Sequence, residues 1–123
     1  MIGVAGRRIL VVEDEMLIAL MLQSMLEALG YQVAGRAGTV ADAMGIIEAD
    51  TQCIDAATLD INLGGEHSSA VADALETHGI PFIITTGYDD PKILAGFQGR
   101  PIVRKPFVPG QLEQALRSLE PRR

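Results

Sequence analysis

An α/β domain built on a five-stranded parallel sheet, with helices on both faces, is the fold class this sequence predicts. Three observations predict it. Short runs of Val, Ile and Leu alternate with helical patterns, the order of successive βαβ units. The apolar runs are nearly continuous, as strands buried on both faces are. Four of them end in groups that bind phosphate or metal: Glu13-Asp14-Glu15, Asp60-Ile61-Asn62, Thr85-Thr86-Gly87 and Arg104-Lys105-Pro106-Phe107. In an open α/β sheet the carboxyl ends of the strands share one crevice, where ligands bind.

The elements follow in order. The first strand is expected at Arg8 to Val12 and the first helix at Glu15 to Leu29, with Gly30 as its stop. The second strand takes Gln32 to Ala37. Thr39 suits an N-cap for a second helix reaching Ala49. The third strand is Ala56 to Asp60, and Ile61 to Ser68 reads as a Gly-rich loop. A third helix covers Ser69 to His78, and Gly79 and Pro81 punctuate the turn into a fourth strand, Phe82 to Thr85. Asp89 to Gly99 is expected to hold a fourth helix, against the pull of Pro91, Gly96 and Gly99. Ile102 to Arg104 forms the fifth strand. A last helix runs from Gln111 to Leu119, with Leu112, Ala115, Leu116 and Leu119 on one face.

The chain has 123 residues and 48% apolar composition, enough for one domain with its own core. The expected organisation is a single domain, 1–123 with a core at about 8–119, and no output domain. A net charge of −6 argues against nucleic acid or an anionic membrane as the main partner. The longest unbroken apolar stretch, Met16 to Leu22, falls far short of the ~20 residues that span a bilayer. One cysteine excludes an internal disulfide and fits a reducing, cytoplasmic setting. Cys53 itself is expected to be a small buried or half-buried residue, and His67 and His78 ordinary surface residues.

The polar strand ends carry the chemistry. Adjacent carboxylates at Glu13 and Asp14 repel unless a cation neutralises them. Mg²⁺ suits them, because it takes oxygen ligands, keeps waters and accepts one or two carboxylates with a phosphate. Asp60 ends an apolar run, where a carboxylate must be paired, hydrogen-bonded or metal-bound. With no His or Ser nearby to activate, it reads best as a nucleophile toward a phosphoryl group. The oxygens of that group would need a cation, an ammonium and a hydroxyl. Lys105 supplies the ammonium. Thr85 and Thr86 both offer a hydroxyl, and strand alternation alone prefers neither.

This set resembles a response-regulator receiver domain over about Arg8 to Leu119. Glu13 and Asp14 match the family's acidic pair and Asp60 its phosphoacceptor. Thr86 matches the switch hydroxyl, and Lys105-Pro106-Phe107 the Lys-Pro-Phe signature. The resemblance implies a flavodoxin-like (βα)5 three-layer sandwich with strand order 2-1-3-4-5. It implies Mg²⁺ (or Mn²⁺) on Asp14, Asp60 and the backbone carbonyl of Asn62, with Glu13 acting mainly through water. A cis peptide before Pro106 is also implied. The partners it implies are a histidine kinase or histidine phosphotransfer protein as donor and a target protein downstream. Such a protein modifies only itself, is not an enzyme in the turnover sense, and is expected as a monomer or weak dimer.

The pattern departs from the common one at two places. Gly87 and then Tyr88 follow the switch hydroxyl, where most receivers have Ala. Ile102 stands where many have an aromatic residue, three before the lysine. The run Pro81 to Tyr88 is similar to a subgroup of stand-alone receivers with Pro-Phe-x-Phe-Ala-Thr-Gly, with Ile84 and Thr85 in place of that Phe and Ala. Gly87 would free the loop for Tyr88 to swing over the phosphorylated site. Asn62 and Tyr88 occupy positions that tune dephosphorylation in the family.

Other readings of the same residues meet specific obstacles. A Mg²⁺-dependent phosphohydrolase would want Asp where Asn62 stands. A cofactor binder of the flavodoxin type would meet repulsion from Glu13-Asp14-Glu15. A degenerate receiver acting only as a binding module would not need the complete acid, Asp, Thr and Lys set. The apolar run Met16 to Leu22 leaves two readings open: a wide buried stripe with one or two stray exposed residues, or a docking face for a helical bundle or a second copy.

Overall fold

A computed structural model describes residues 7–87 and 100–119. The main sheet has five parallel strands: β1 (Arg8–Val12), β2 (Gln32–Ala37), β3 (Ala56–Asp60), β6 (Phe82–Thr86) and β7 (Ile102–Arg104). Their order across the sheet is β2-β1-β3-β6-β7, the expected 2-1-3-4-5 arrangement of main strands. Four α-helices lie among the described residues: α1 (Met16–Ala28), α2 (Val40–Ala49), α3 (Ser69–Thr77) and α4 (Pro109–Arg117). The helix expected at Asp89 to Gly99, and Tyr88, lie outside the described residues.

The alternation of side chains along each strand divides the core in two. On one face Leu10, Val12, Ala57, Leu59, Phe82 and Ile84 pack with Ala43, Ile47, Val71 and Leu75 of α2 and α3. On the other, Ile9, Val11, Ala56, Ile83 and Val103 pack with Ala19, Leu22 and Leu26 of α1 and Leu112 and Leu116 of α4. Both faces of β3 are therefore covered, and all five of its residues are buried. Truncating one of them, Leu59→Ala, would cost about 2–5 kcal/mol. The strand that ends in Asp60 is thus fixed by packing on both of its faces.

Local chemistry sets the helix starts. Thr39 caps α2 as expected: its Oγ1 accepts the Asp42 N–H at 3.0 Å. Pro109 opens α4 within its first turn, where no backbone N–H is needed.

Beyond shifts of one or two residues at element ends, three expectations change. The loop after β3 contains a small antiparallel hairpin, β4 (Asn62–Leu63) paired with β5 (Glu66–His67). Gly64 and Gly65 join them at φ +60 and +91, the two positive φ values of a type I′ turn. Cys53 is exposed, because it ends a single 3₁₀ turn (Thr51–Cys53) and the following Ile54 takes the buried position. The apolar run of α1 is not a wide buried stripe. Its buried contacts fall on Ala19, Leu22 and Leu26, while Met16, Leu17, Leu20 and Met21 stay 65, 82, 41 and 46% exposed.

The pairing of β1 with β2 slips once. Ile9 faces Val33, but Leu10 faces Gly35, so Ala34 is the extra residue of a bulge.

Candidate functional site

The crevice at the carboxyl ends of β1, β3, β6 and β7 gathers the residues expected there. Asp14, Glu15, Asp60, Asn62, Gly65, Gly87 and Lys105 line it. Asp60, the last residue of β3, is only 5% exposed. Its position follows from the register, which sets Asp60 beside Thr85 of β6. One carboxylate oxygen each of Glu13, Asp14 and Asp60 lie within 4.8 Å of one another. The two histidines are not part of that group.

Lys105 closes the cluster from β7. Its Nζ donates to Asp60 Oδ2 at 3.0 Å and lies 2.6 Å from Glu13 Oε1. Its backbone N–H donates to the Thr86 carbonyl at 2.8 Å, which extends the β6–β7 ladder by one step and aims the side chain into the crevice. The Lys105–Pro106 peptide is cis, as expected. Burial pulls the Lys105 ammonium down, but its bonds to Glu13 and Asp60 outweigh that and hold its pKa above the ordinary value.

The two acids of the pair live in different surroundings. Glu13 is 3% exposed, and burial pushes its pKa up to about 7. The bond from Lys105 opposes that rise, and the neighbouring Asp60 adds to it. Asp14 is exposed at the mouth. Its partial burial pulls upward, but hydrogen bonds from Glu13 and from the Gly64 N–H prevail and hold it below the usual carboxylate value. Asp14 is thus the exposed acid of the pair and Glu13 the buried one.

The donor set itself fits a divalent cation. Three hard carboxylates face one ammonium, an excess of negative charge that Mg²⁺ or Mn²⁺ would neutralise. Burial of Glu13, with Asp60 beside it, raises its pKa to about 7 and so lessens that excess near neutral pH.

The remaining expected residues divide. Thr85 and Thr86 are both buried, at 1% and 0% exposure, because helices cover both faces of β6. Gly87 lines the crevice. Ile102 is 37% exposed on the edge strand β7, away from the acidic cluster. The Asn62 N–H points back at Asp60 Oδ1 at 3.4 Å. Two further groups were not foreseen: the Gly64 N–H on Asp14 Oδ2 at 3.0 Å and the Gly65 N–H on Asn62 Oδ1 at 2.9 Å. A Gly-Gly pair between short polar-apolar segments is a hairpin signal that could have found them.

Comparison with known proteins agrees with this geometry. Residues 9–117 match the model of the response regulator receiver domain, and the chain belongs to that family. It is 34% identical to the phyllosphere-induced regulator PhyR of Methylorubrum extorquens over 88% of this chain and 41% of that protein. The chain spans about half, or less, of the curated relatives it matches. Among solved structures, SdrG from Sphingomonas melonis Fr1 is 43% identical, covers 94% of this chain and 96% of its own, and superposes with a TM-score of 0.79. The BeF3-activated conformation of SdrG, from Pseudomonas melonis Fr1, is also 43% identical, with 91% and 94% coverage and a TM-score of 0.77. Among the described residues no helix is long and apolar enough to cross a membrane.

Proposed function

We propose that this receiver accepts a phosphoryl group on Asp60 from a phosphohistidine of a histidine kinase or histidine phosphotransfer protein. The observation that carries the reading is one buried strand-end carboxylate held between a lysine and an acidic pair. An Asp60 oxygen forms the new P–O bond while the donor's P–N bond breaks, and the imidazole leaves with the electron pair. No general base is required, so positioning and charge neutralisation suffice. Asp14, Asp60 and the Asn62 carbonyl would hold Mg²⁺ or Mn²⁺, with Glu13 behind them. The cation would neutralise charge on the transferred group. Lys105 already reaches Asp60 and would bind one phosphoryl oxygen, with the Thr86 hydroxyl binding another.

The exposed apolar residues of α1 begin two positions after Asp14, beside the crevice mouth. That neighbourhood supports α1 as the face on which the donor docks. The product would act on a protein target rather than turn over a substrate, and the acidic chain argues against nucleic acid as that target.

The test is intact mass after incubation with Mg²⁺ and a small acyl-phosphate donor, beside Asp60→Asn. One phosphoryl adduct on the wild type and none on the variant is expected. No adduct with any small donor or kinase would leave a protein-binding module in place of a phosphoacceptor.

A further inference from the structure

The hairpin β4–β5 is anchored at both ends. Beside the turn Leu63 is 1% exposed in the core under α2 and α3, and just past the base the Ser68 N–H donates to the Ile61 carbonyl at 3.0 Å. At its tip the Gly64 N–H reaches Asp14 Oδ2, across 50 positions of chain. The neighbouring Gly65 N–H holds Asn62 Oδ1. Both tip amides are thus spent on side chains of the crevice. Both glycines sit at positive φ, and nothing lies within 4 Å of a Cβ built on either. The backbone conformation, not lack of space, is what calls for glycine there.

We propose that the Gly64–Gly65 turn is a positioning element for divalent-cation binding, its Gly64 amide fixing one oxygen of Asp14 and leaving the other for the ion. The proposal rests on the metal reading above. Asp14 is exposed on the short link between β1 and α1, where an untethered side chain would rotate in water. The amide, alongside the bond from Glu13, limits that freedom before a cation arrives, so less is lost on binding. Donors that orient ligating carboxylates are typically worth 10- to 100-fold in metal affinity. The Gly65–Asn62 bond works alongside, holding the segment whose carbonyl would be a further ligand.

Calorimetric titration of MgCl₂ into the whole chain tests this, with wild type, Gly64→Val and Gly64→Asn compared. Val is barred from the left-handed region, whereas Asn enters it readily and keeps the N–H. Gly64→Val is expected to bind Mg²⁺ about tenfold more weakly, and Gly64→Asn close to wild type. Circular dichroism establishes that each variant is folded. If Gly64→Val does not fold, Gly64→Ala, with its smaller backbone penalty, replaces it in the comparison. A folded Val or Ala variant with wild-type affinity would overturn the proposal. So would an Asn variant as weak as the Val one. Failure of the wild type to bind Mg²⁺ would instead bring down the metal reading, and the turn's role with it.

Discussion

Lys105 Nζ stands closer to Glu13 than to Asp60, 2.6 Å from one carboxylate and 3.0 Å from the other. The lysine therefore balances a buried acid as well as the proposed phosphoacceptor. Removing it leaves Glu13 buried with no cation beside it. Lys105→Met should destabilise the cation-free protein by about 1–3 kcal/mol at pH 8, below the cost of a trapped charge because Glu13 can take up a proton. Urea unfolding in the presence of a chelator measures this. The loss should shrink at pH 5, where Glu13 is already neutral.

The raised pKa of Glu13 has its own signature. The folded protein holds that proton more tightly than the unfolded chain, whose Glu pKa is near 4.5. The stabilisation is complete below about 4.5 and is lost as pH rises through about 7. Thermal midpoints of the cation-free protein should therefore fall across that window. In Glu13→Gln this part of the decline should vanish. Mg²⁺ affinity should rise over the same window, since the bound ion favours the deprotonated acid.

Leu17 is 82% exposed, so Leu17→Glu should change stability by no more than about 0.5 kcal/mol. If α1 receives the donor, transfer from a phosphohistidine protein should slow markedly in this variant. Labelling by a small acyl phosphate should not change. Equal slowing with both donors would place the defect in the crevice and refute the docking role.

Thr39→Ala removes the cap of α2 and leaves the Glu13, Asp14 and Asp60 carboxylates in place. Its expected cost is about 1 kcal/mol of stability. Calorimetric Mg²⁺ affinity should be unaffected, which makes it a control for the variants that lower both.

Much of the fold could be read from particular residues. The bounds of Arg8–Val12 and Ala56–Asp60 are legible because an apolar run buried on both faces leaves a sharp polar edge. Gln32–Ala37 also kept its bounds, although it lies at the sheet's edge with alternating exposure. Periodicity does not show the hairpin at Asn62–His67, because strands of two residues have none; only its Gly-Gly turn is legible. The partner of Glu13 was hidden for a different reason. The bond to Lys105 joins distant parts of the chain, and only closure of the sheet brings them together. Thr85 and Thr86 were indistinguishable as residues, and both are equally shut away from solvent. Register separates them, pairing Thr85 with Val103 and Thr86 with Arg104. The apolar excess of α1 was visible as composition. Which residues it left in water depended on how the helix settled on the sheet.

The bulge at Ala34 bears on how the molecule meets copies of itself. An open sheet offers its edge strands as templates to any strand that drifts alongside, and β2 is such an edge. A slipped residue bends the strand and breaks the even row of amides and carbonyls that a newcomer would need. Arg36, exposed two positions on, adds a charge to the same border. For a chain that is 48% apolar, that small irregularity is a safeguard against fibre-like growth from its β2 side.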